Sequence, residues 1–384
     1  MSEELKHTPV AKRVGAAIRG LEFSDSHLLH RRTPAKNTLL GLDKAIYQDN
    51  QLANIDIIFI AGDFWDRAVG FPDRDLFDVQ QWVRRFVRAC AENNVILRVL
   101  EGTSYHDWRQ SKEFLVDTSG CDVRHVTELS IEHIEALDIT VLYLPDEHKT
   151  NPEETWQDVL HLLAQHKLEK VDFVVMHGGF HYQFPPMQRQ TTHDENRYNG
   201  ITRYGCFSGH IHQASNWKNI YVAGSFDRTG HGHEERKGYY TFTLDKAHDS
   251  FKCTWRENTL ALHYGTIDCE GMDADAVLLA IEKYIAKHKV KPASYLRLKN
   301  GEADIINGML SVIKSMYPLL KFDVLNKSHV EEVTTEKRYD ESLYQGYNID
   351  RHNIEQALLD YMCRRDMVTD DQIPLIRSLV EELR

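Results

Sequence analysis

The run Ile55-Asp56-Ile57-Ile58-Phe59-Ile60-Ala61 puts apolar side chains on both faces of any strand it forms. A strand with one wet face alternates, so continuous apolarity over this length predicts a parallel strand covered on both sides. The run stops at Gly62-Asp63-Phe64-Trp65-Asp66, which delivers carboxylates where the strand ends. The pattern recurs along the chain. Residues 17–23 read as a strand ending in Ser24-Asp25-Ser26-His27, and 95–100 as one leading into Glu101-Gly102-Thr103-Ser104-Tyr105-His106-Asp107. Residues 139–144 form another, 171–176 deliver His177-Gly178-Gly179, and 220–223 run into Gly224-Ser225. Phe207-Ser208-Gly209-His210-Ile211-His212 carries two histidines at i and i+2, a spacing that sends both imidazoles to one side of an extended segment. Helical stripes separate the strands: Leu39, Leu42 and Ile46 after Thr33-Pro34; Leu76, Val79, Val83, Phe86 and Val87; and Trp156, Val159 and Leu163 within 154–165. Strand and helix in alternation predict an α/β fold, with reactive groups at the carboxyl ends of its strands.

A chain of 384 residues has room for a large core and more than one domain. With 42% apolar residues it is globular in composition, and no apolar run approaches the ~20 residues of a membrane span. The polar start has no signal-peptide core, and the first dozen residues are expected to be a mobile tail. Six scattered cysteines (90, 121, 206, 253, 269 and 363), with no Cys-x-x-Cys pair, read as free thiols of a reducing cytoplasm. Lys and Arg total 46 against 58 Asp and Glu, a net charge of −12. That weighs against a simple nucleic-acid coat protein and leaves room for an enzyme with a local basic patch. Residues 1–36 offer one, seven basic residues against four acidic.

Beyond about residue 258 the strand-end metal-type residues stop. A helix over 273–288 (Val277, Leu278, Ile281, Ile285), an alternating strand over 294–299, a helix over 305–316 and a strand over 321–325 describe a small separate α/β unit. Two terminal stripes, Ile354, Leu358, Tyr361 and Met362, then Ile376, Val380 and Leu383, predict a helical pair. The polar stretch 180–200, with Pro185-Pro186, is expected to be a long loop on the substrate side.

Any single His or Asp in this set is more readily a core or capping residue than a ligand. Together, Asp25, His27, Asp63, His106, His177, His210 and His212 follow five predicted strands, a composition able to hold two divalent metals and leave one imidazole for proton transfer. The order Asp-x-His, Gly-Asp, Gly-…-His-Asp, His-Gly, Gly-His-x-His over residues 17–245 resembles the calcineurin-like metallophosphoesterase superfamily. The resemblance implies a two-sheet α/β sandwich core (1–258), a small α/β capping domain (259–345) and a C-terminal helical partner-binding segment (346–384). It assigns Asp25, His27 and His212 to one metal and His177 and His210 to the other, with Asp63 bridging. His106 becomes the acid or transition-state stabiliser, oriented by Asp107. The metals implied are two divalent ions, manganese ahead of magnesium. One departure stands out: the family's Gly-Asn-His-Asp is here Gly102-Thr103-Ser104-Tyr105-His106-Asp107, without the ligating Asn. Thr103, Ser104 or a water would have to fill that position, and the second metal is expected to bind more weakly.

Three features resemble the SbcD-type nuclease branch of DNA repair and recombination, phage versions included. They are Tyr221-Val222-Ala223-Gly224-Ser225 followed by Glu234-Glu235-Arg236-Lys237-Gly238, the small α/β unit, and the terminal helices where that family docks an SbcC-type coiled-coil ATPase. The resemblance implies a metal-dependent DNA exonuclease or endonuclease that hydrolyses phosphodiesters with metal-bound hydroxide. It also implies DNA and the ATPase as partners, a homodimer, no membrane association, and a cytoplasmic location (the host's, for a phage protein). Arg31, Arg32 and an Arg84/Arg85/Arg88 face are candidate phosphate contacts, with a solvated helix face the equal alternative for the latter. A nucleotide or small-molecule phosphodiesterase and a non-catalytic scaffold are the other readings, because a fold alone does not set a substrate.

Overall fold

The computed structural model describes residues 17–325 except 70–73, 119, 147–148, 150 and 186–190. The first dozen residues, expected to be a tail, and the expected terminal helical segment (346–384) lie outside the described residues, as does the last part of the expected capping domain.

The apolar run 55–61 forms β2 (Ile57–Ala61), every residue of it buried. Its side chains divide with period two. Ile58 and Ile60 join Leu39, Leu42, Val83 and Phe86 of α1 (Ala35–Asp43) and α2 (Arg74–Glu92), while Ile57, Phe59 and Ala61 point into a second apolar layer. Across that layer Phe59 meets Phe173 and Phe207 of the opposite sheet at ring-centroid distances of 6.2 and 6.1 Å. Truncating so buried an aromatic costs about 3–5 kcal/mol.

The first sheet also contains β1 (Ile18–Phe23), β3 (Ile96–Leu100), β4 (Val123–Val126), β11 (Gly238–Asp245) and β12 (Ser250–Glu257), in the order β12-β11-β1-β2-β3-β4. The four strands β1 to β4 are parallel, and β11 and β12 add an antiparallel edge. The second sheet is β5-β6-β7-β8-β10-β9, built from β5 (Ser130–Ile134), β6 (Ile139–Leu144), β7 (Val171–His177), β8 (Thr202–Gly209), β9 (Ser215–Trp217) and β10 (Ile220–Val222). Its inner strands β6, β7, β8 and β10 are parallel and its two edges antiparallel. Val159 and Leu163 of α4 (Pro152–Gln165) and Tyr198 and Ile201 of α5 (Glu195–Ile201) cover its outer face. The architecture is thus two mixed sheets face to face with helices on both outsides, consistent with the α/β sandwich expected.

The stretch 180–200 is not loop throughout. Asp194 caps α5 by accepting the Asn196 N–H, and Tyr198 and Ile201, three residues apart, are both buried. A short helix closed by polar cap chemistry reads as loop because only two of its residues are apolar and buried.

A third sheet, β13-β14-β15, uses β13 (Tyr264–Asp268), β14 (Tyr295–Lys299) and β15 (Lys321–Leu325) with α6 (Ala274–His288) and α7 (Ala303–Met316). Leu296 and Leu298 face its core with Val277, Ile281, Ile306 and Ile313, as their spacing predicted. It meets the main body where Tyr264 and Thr33 share a 2.7 Å hydroxyl contact and Tyr295 Oη donates to the Arg32 carbonyl. Nearby, Asp227 is fully buried and tied by the N–H groups of Arg228 and Leu262 and by the Thr38 hydroxyl.

Candidate metal centre

The strand ends of the two sheets meet. His177 Nδ1, at the end of β7, donates to the Ala61 carbonyl at the end of β2 at 2.8 Å. The His210 N–H, just past β8, lies 3.0 Å from both Asp25 carboxylate oxygens. Around them the loops zip together: Asp25 N–H to Gly62 O, His27 N–H to Asp63 O and Leu28 N–H to Phe64 O. So tight an approach requires glycine at position 62, where φ is +85° and a Cβ would come within 2.3 Å of His177 Nδ1. Asp25, His27, Asp63 and His210 also have positive φ, a conformation that costs about 1–3 kcal/mol per residue and concentrates at functional sites.

Hydrogen bonding fixes which atoms face inward. With Nδ1 donating to the Ala61 carbonyl, the other ring nitrogen of His177, Nε2, faces Asp63 Oδ2 at 3.3 Å. His27 Nδ1 lies 3.3 Å from the Asp66 carboxylate, so its Nε2 faces His212 Nε2 at 2.9 Å and Asp63 Oδ2 at 4.0 Å. His212 Nε2 is in turn 3.7 Å from Asp25 Oδ1. The groups Asp25/His27/His212 and Asp63/His177/His210 each gather one ligand atom per residue within 4.8 Å. Acceptor atoms aimed at one another repel unless a proton or a cation lies among them, and imidazole with carboxylate is a donor set suited to divalent metals. The donor set therefore fits a metal. All six ligands expected from the sequence stand in these two groups.

Electrostatics follow the same logic. Burial alone would depress His177, but Asp63 outweighs it and holds the imidazole well above its ordinary range. Burial would raise Asp63, yet His177, His27 and His106 hold it well below the usual carboxylate range. His212 has too little compensation, and burial takes it down to about 4, so it stays a neutral imidazole at pH 7.

His106 joins this centre, its ring 4.7 Å from that of His27. Its orientation is not what the sequence suggested. Asp107 is buried and its carboxylate accepts the N–H groups of Asp63, Trp65 and Gly102 at 3.1, 3.0 and 2.7 Å. It braces the two ligand loops against each other, and burial with the nearby Asp63 charge pushes it up to about 7. The His106 ring is held instead by the Asp66 carbonyl, 2.5 Å from Nδ1. Asp66 thus orients two imidazoles, His27 through its carboxylate and His106 through its backbone. The sequence reading missed it, although a second carboxylate three residues after Asp63 was the visible signal.

At the position of the missing Asn stands Thr103. Its N–H donates to Asp63 Oδ1 at 2.6 Å, and its hydroxyl lies 3.2 Å from Asp63 Oδ2 and 3.3 Å from His177 Nε2. Ser104 is exposed. On the opposite side, buried Lys237 donates to the His212 carbonyl and fixes that loop from behind.

Each arginine of the Arg84/Arg85/Arg88 face has an acidic partner. Arg84 pairs with Glu113 at 2.8 Å, Arg85 with Asp43 at 2.9 Å, and Arg88 with Asp117. Arg31 and Arg32 are exposed on the loop after β1. Two further groupings exist among the described residues: His27, Asp66 and His106 adjoin the first group, and His181, Asp194 and Glu195 are accounted for locally, since Asp194 caps α5 and Glu195 accepts the Tyr182 N–H.

No family model matches the chain, and no curated protein matches it. Solved structures do match. One of them shares 15% identity over 62% of this chain and 99% of its own length, at a TM-score of 0.37. A likeness at that level carries no weight for fold or function.

Proposed function

We propose that the chain is a two-metal-dependent phosphodiesterase that cleaves DNA, a calcineurin-like metallophosphoesterase of the SbcD type. The observation that carries this reading is Asp63 Oδ2, a single carboxylate oxygen lying 4.0 Å from His27 Nε2 on one side and 3.3 Å from His177 Nε2 on the other. Asp25, His27 and His212 would hold one ion, His177 and His210 the other, and Asp63 both. Such a pair, when bound, supplies an acidified water and neutralises charge on a phosphate.

The chain's own residues do the rest. The carbonyl of Asp66 can only accept, so Nδ1 of His106 always carries a proton. The neutral ring therefore offers Nε2 as a base, and the imidazolium offers a proton there to a departing oxygen. Asp107 keeps the Asp63 loop and the Gly102 loop in register, and exposed Arg31 and Arg32 position backbone phosphates without reading sequence. An SbcC-type ATPase bound through 346–384 and a homodimer belong to the same reading.

Manganese-dependent cleavage of end-labelled linear DNA, compared with His106→Ala and Asp63→Ala, tests it. Cleavage lost in both variants is the expected result. Intact DNA alongside hydrolysis of bis-p-nitrophenyl phosphate would instead select a nucleotide or small-molecule phosphodiesterase. The ion pairing of Arg84, Arg85 and Arg88 favours that second reading, since it removes one cationic strip a long duplex would follow.

A further inference from the structure

We propose that Tyr105 and Trp108 form a stacking platform for an unpaired nucleobase beside the scissile phosphate, an inference that rests on the nucleic-acid reading above. The two residues bracket His106-Asp107, and their side chains are 60% and 59% exposed. The Tyr105 ring lies 4.3 Å from that of His106, which lies 4.7 Å from that of His27. An aromatic surface thus continues outward from the metal ligands, past the proton-transfer residue, to solvent.

The display is built. Trp108 Nε1 donates to the Tyr105 carbonyl at 2.7 Å, which folds the indole back over that peptide and satisfies its one polar atom internally. Trp108 and Arg109 both have positive φ, +46° and +56°, a pair of left-handed residues without glycine. Strain of this kind persists only where surrounding structure holds it. Here the holding group is Glu101, 9% exposed, whose carboxylate accepts the Arg109 N–H at 2.6 Å and pairs with His125 at 2.6 Å. A braced, strained turn that exposes two large rings next to the chemistry is unexplained by stability.

The occupant follows from what adjoins the rings. A phosphodiester at the metal ligands carries a sugar and a base outward along the same line, and every base has a π-face to stack. Arg109 and Lys112 are exposed on the same segment and suit the flanking phosphates. Stacking is available only to a base out of its duplex, so the platform selects single-stranded or frayed ends. The exposed Leu115 and Val116 farther along the segment make a protein contact the competing use of this surface.

The test compares binding by the full chain, in manganese, of a fluorescein-labelled single-stranded 12-mer with a slowly cleaved phosphorothioate backbone and of matched strands carrying one abasic position. The wild type is expected to prefer a base at one position by about five- to 150-fold, the equivalent of ~1–3 kcal/mol of stacking. Tyr105→Ala or Trp108→Ala should collapse that preference towards one, whereas Tyr105→Phe and Trp108→Phe, which keep a ring, should retain it. An alanine variant with native circular dichroism and an undiminished base preference overturns the proposal. So does a variant that changes the sedimentation mass and leaves the preference intact, which would assign the rings to a protein interface. Failure of the nuclease reading looks different: no DNA strand is cleaved by the wild type, and the base preference can still be read.

Discussion

Replacing Asp66 isolates the support given to one metal ligand. Its carboxylate is 3.3 Å from His27 Nδ1 and its side chain only 15% exposed, so the contact is little screened by water. Outer partners of ligating histidines are worth about 10–100-fold in metal affinity, or ~1.4–2.7 kcal/mol. Asp66→Ala should therefore weaken the tighter manganese site by most of that range. Asp66→Asn, which keeps an amide oxygen as acceptor but no charge, should fall near its lower end. The backbone carbonyl that orients His106 survives both changes, so the loss should appear in binding before it appears in proton transfer. Isothermal titration with manganese gives the affinity, and imidazole nitrogen NMR gives the fraction of His27 protonated at Nδ1. A folded Asp66→Ala protein with wild-type manganese affinity and an unchanged His27 tautomer would refute the reasoning.

Thr103→Asn should raise affinity at the Asp63/His177/His210 group, since a carboxamide oxygen is a better donor than the hydroxyl now 3.3 Å from His177 Nε2; two sites of unchanged inequality in a titration would count against it. Asp227→Asn should alter the pH dependence of stability. Burial pushes Asp227 up to about 6 in the folded chain against ~3.9 unfolded, so the native state binds more protons between these values and loses about 3 kcal/mol as pH rises through them. The Asn variant lacks that loss, so the stability change between pH 4.5 and 7.5, from urea unfolding, should differ from wild type by about 2 kcal/mol, the part of the loss that falls in that window; parallel pH dependences would exclude it. Gly62→Ala should cost more than ~2 kcal/mol, because φ is +85° and the new methyl would collide with His177 Nδ1, and thermal melting with a manganese titration should show stability and binding lost together.

The strands that carry the centre were legible because they are buried on both faces: β2 is apolar throughout and β7 is apolar apart from Asp172 and the terminal His177, so their ends could be read directly. The antiparallel edges were not. β11 and β12 interleave Tyr, Thr, Lys and Arg, as half-covered strands do, and no continuous apolar run marks them. At the centre, residue types and spacing picked out the six candidate ligands and His106, which the structure brings together. What sequence could not convey was direction. That Asp107 spends its oxygens on three backbone N–H groups while Asp66 turns to His27 depends on a loop in which Asp63 takes a left-handed φ. Likewise, nothing in the spacing of Arg84, Arg85 and Arg88 revealed acidic partners 29 to 42 positions away in the chain.

Asp25, His27 and Asp63 come from one sheet, and His177, His210 and His212 from the other, and the six meet only along the seam between them. Either sheet alone offers half of the proposed ligands. A divalent ion bound as proposed would therefore discriminate between docked and undocked sheets, and its binding free energy would become free energy of closing the sandwich. In hydrogen-exchange experiments on the whole chain, metal should then slow the openings that part the two sheets and leave untouched the fraying of β12 or of α6 at the periphery. Such an ion would act as a rivet through two plates, and its loss would first be felt as a shorter lifetime of the closed body.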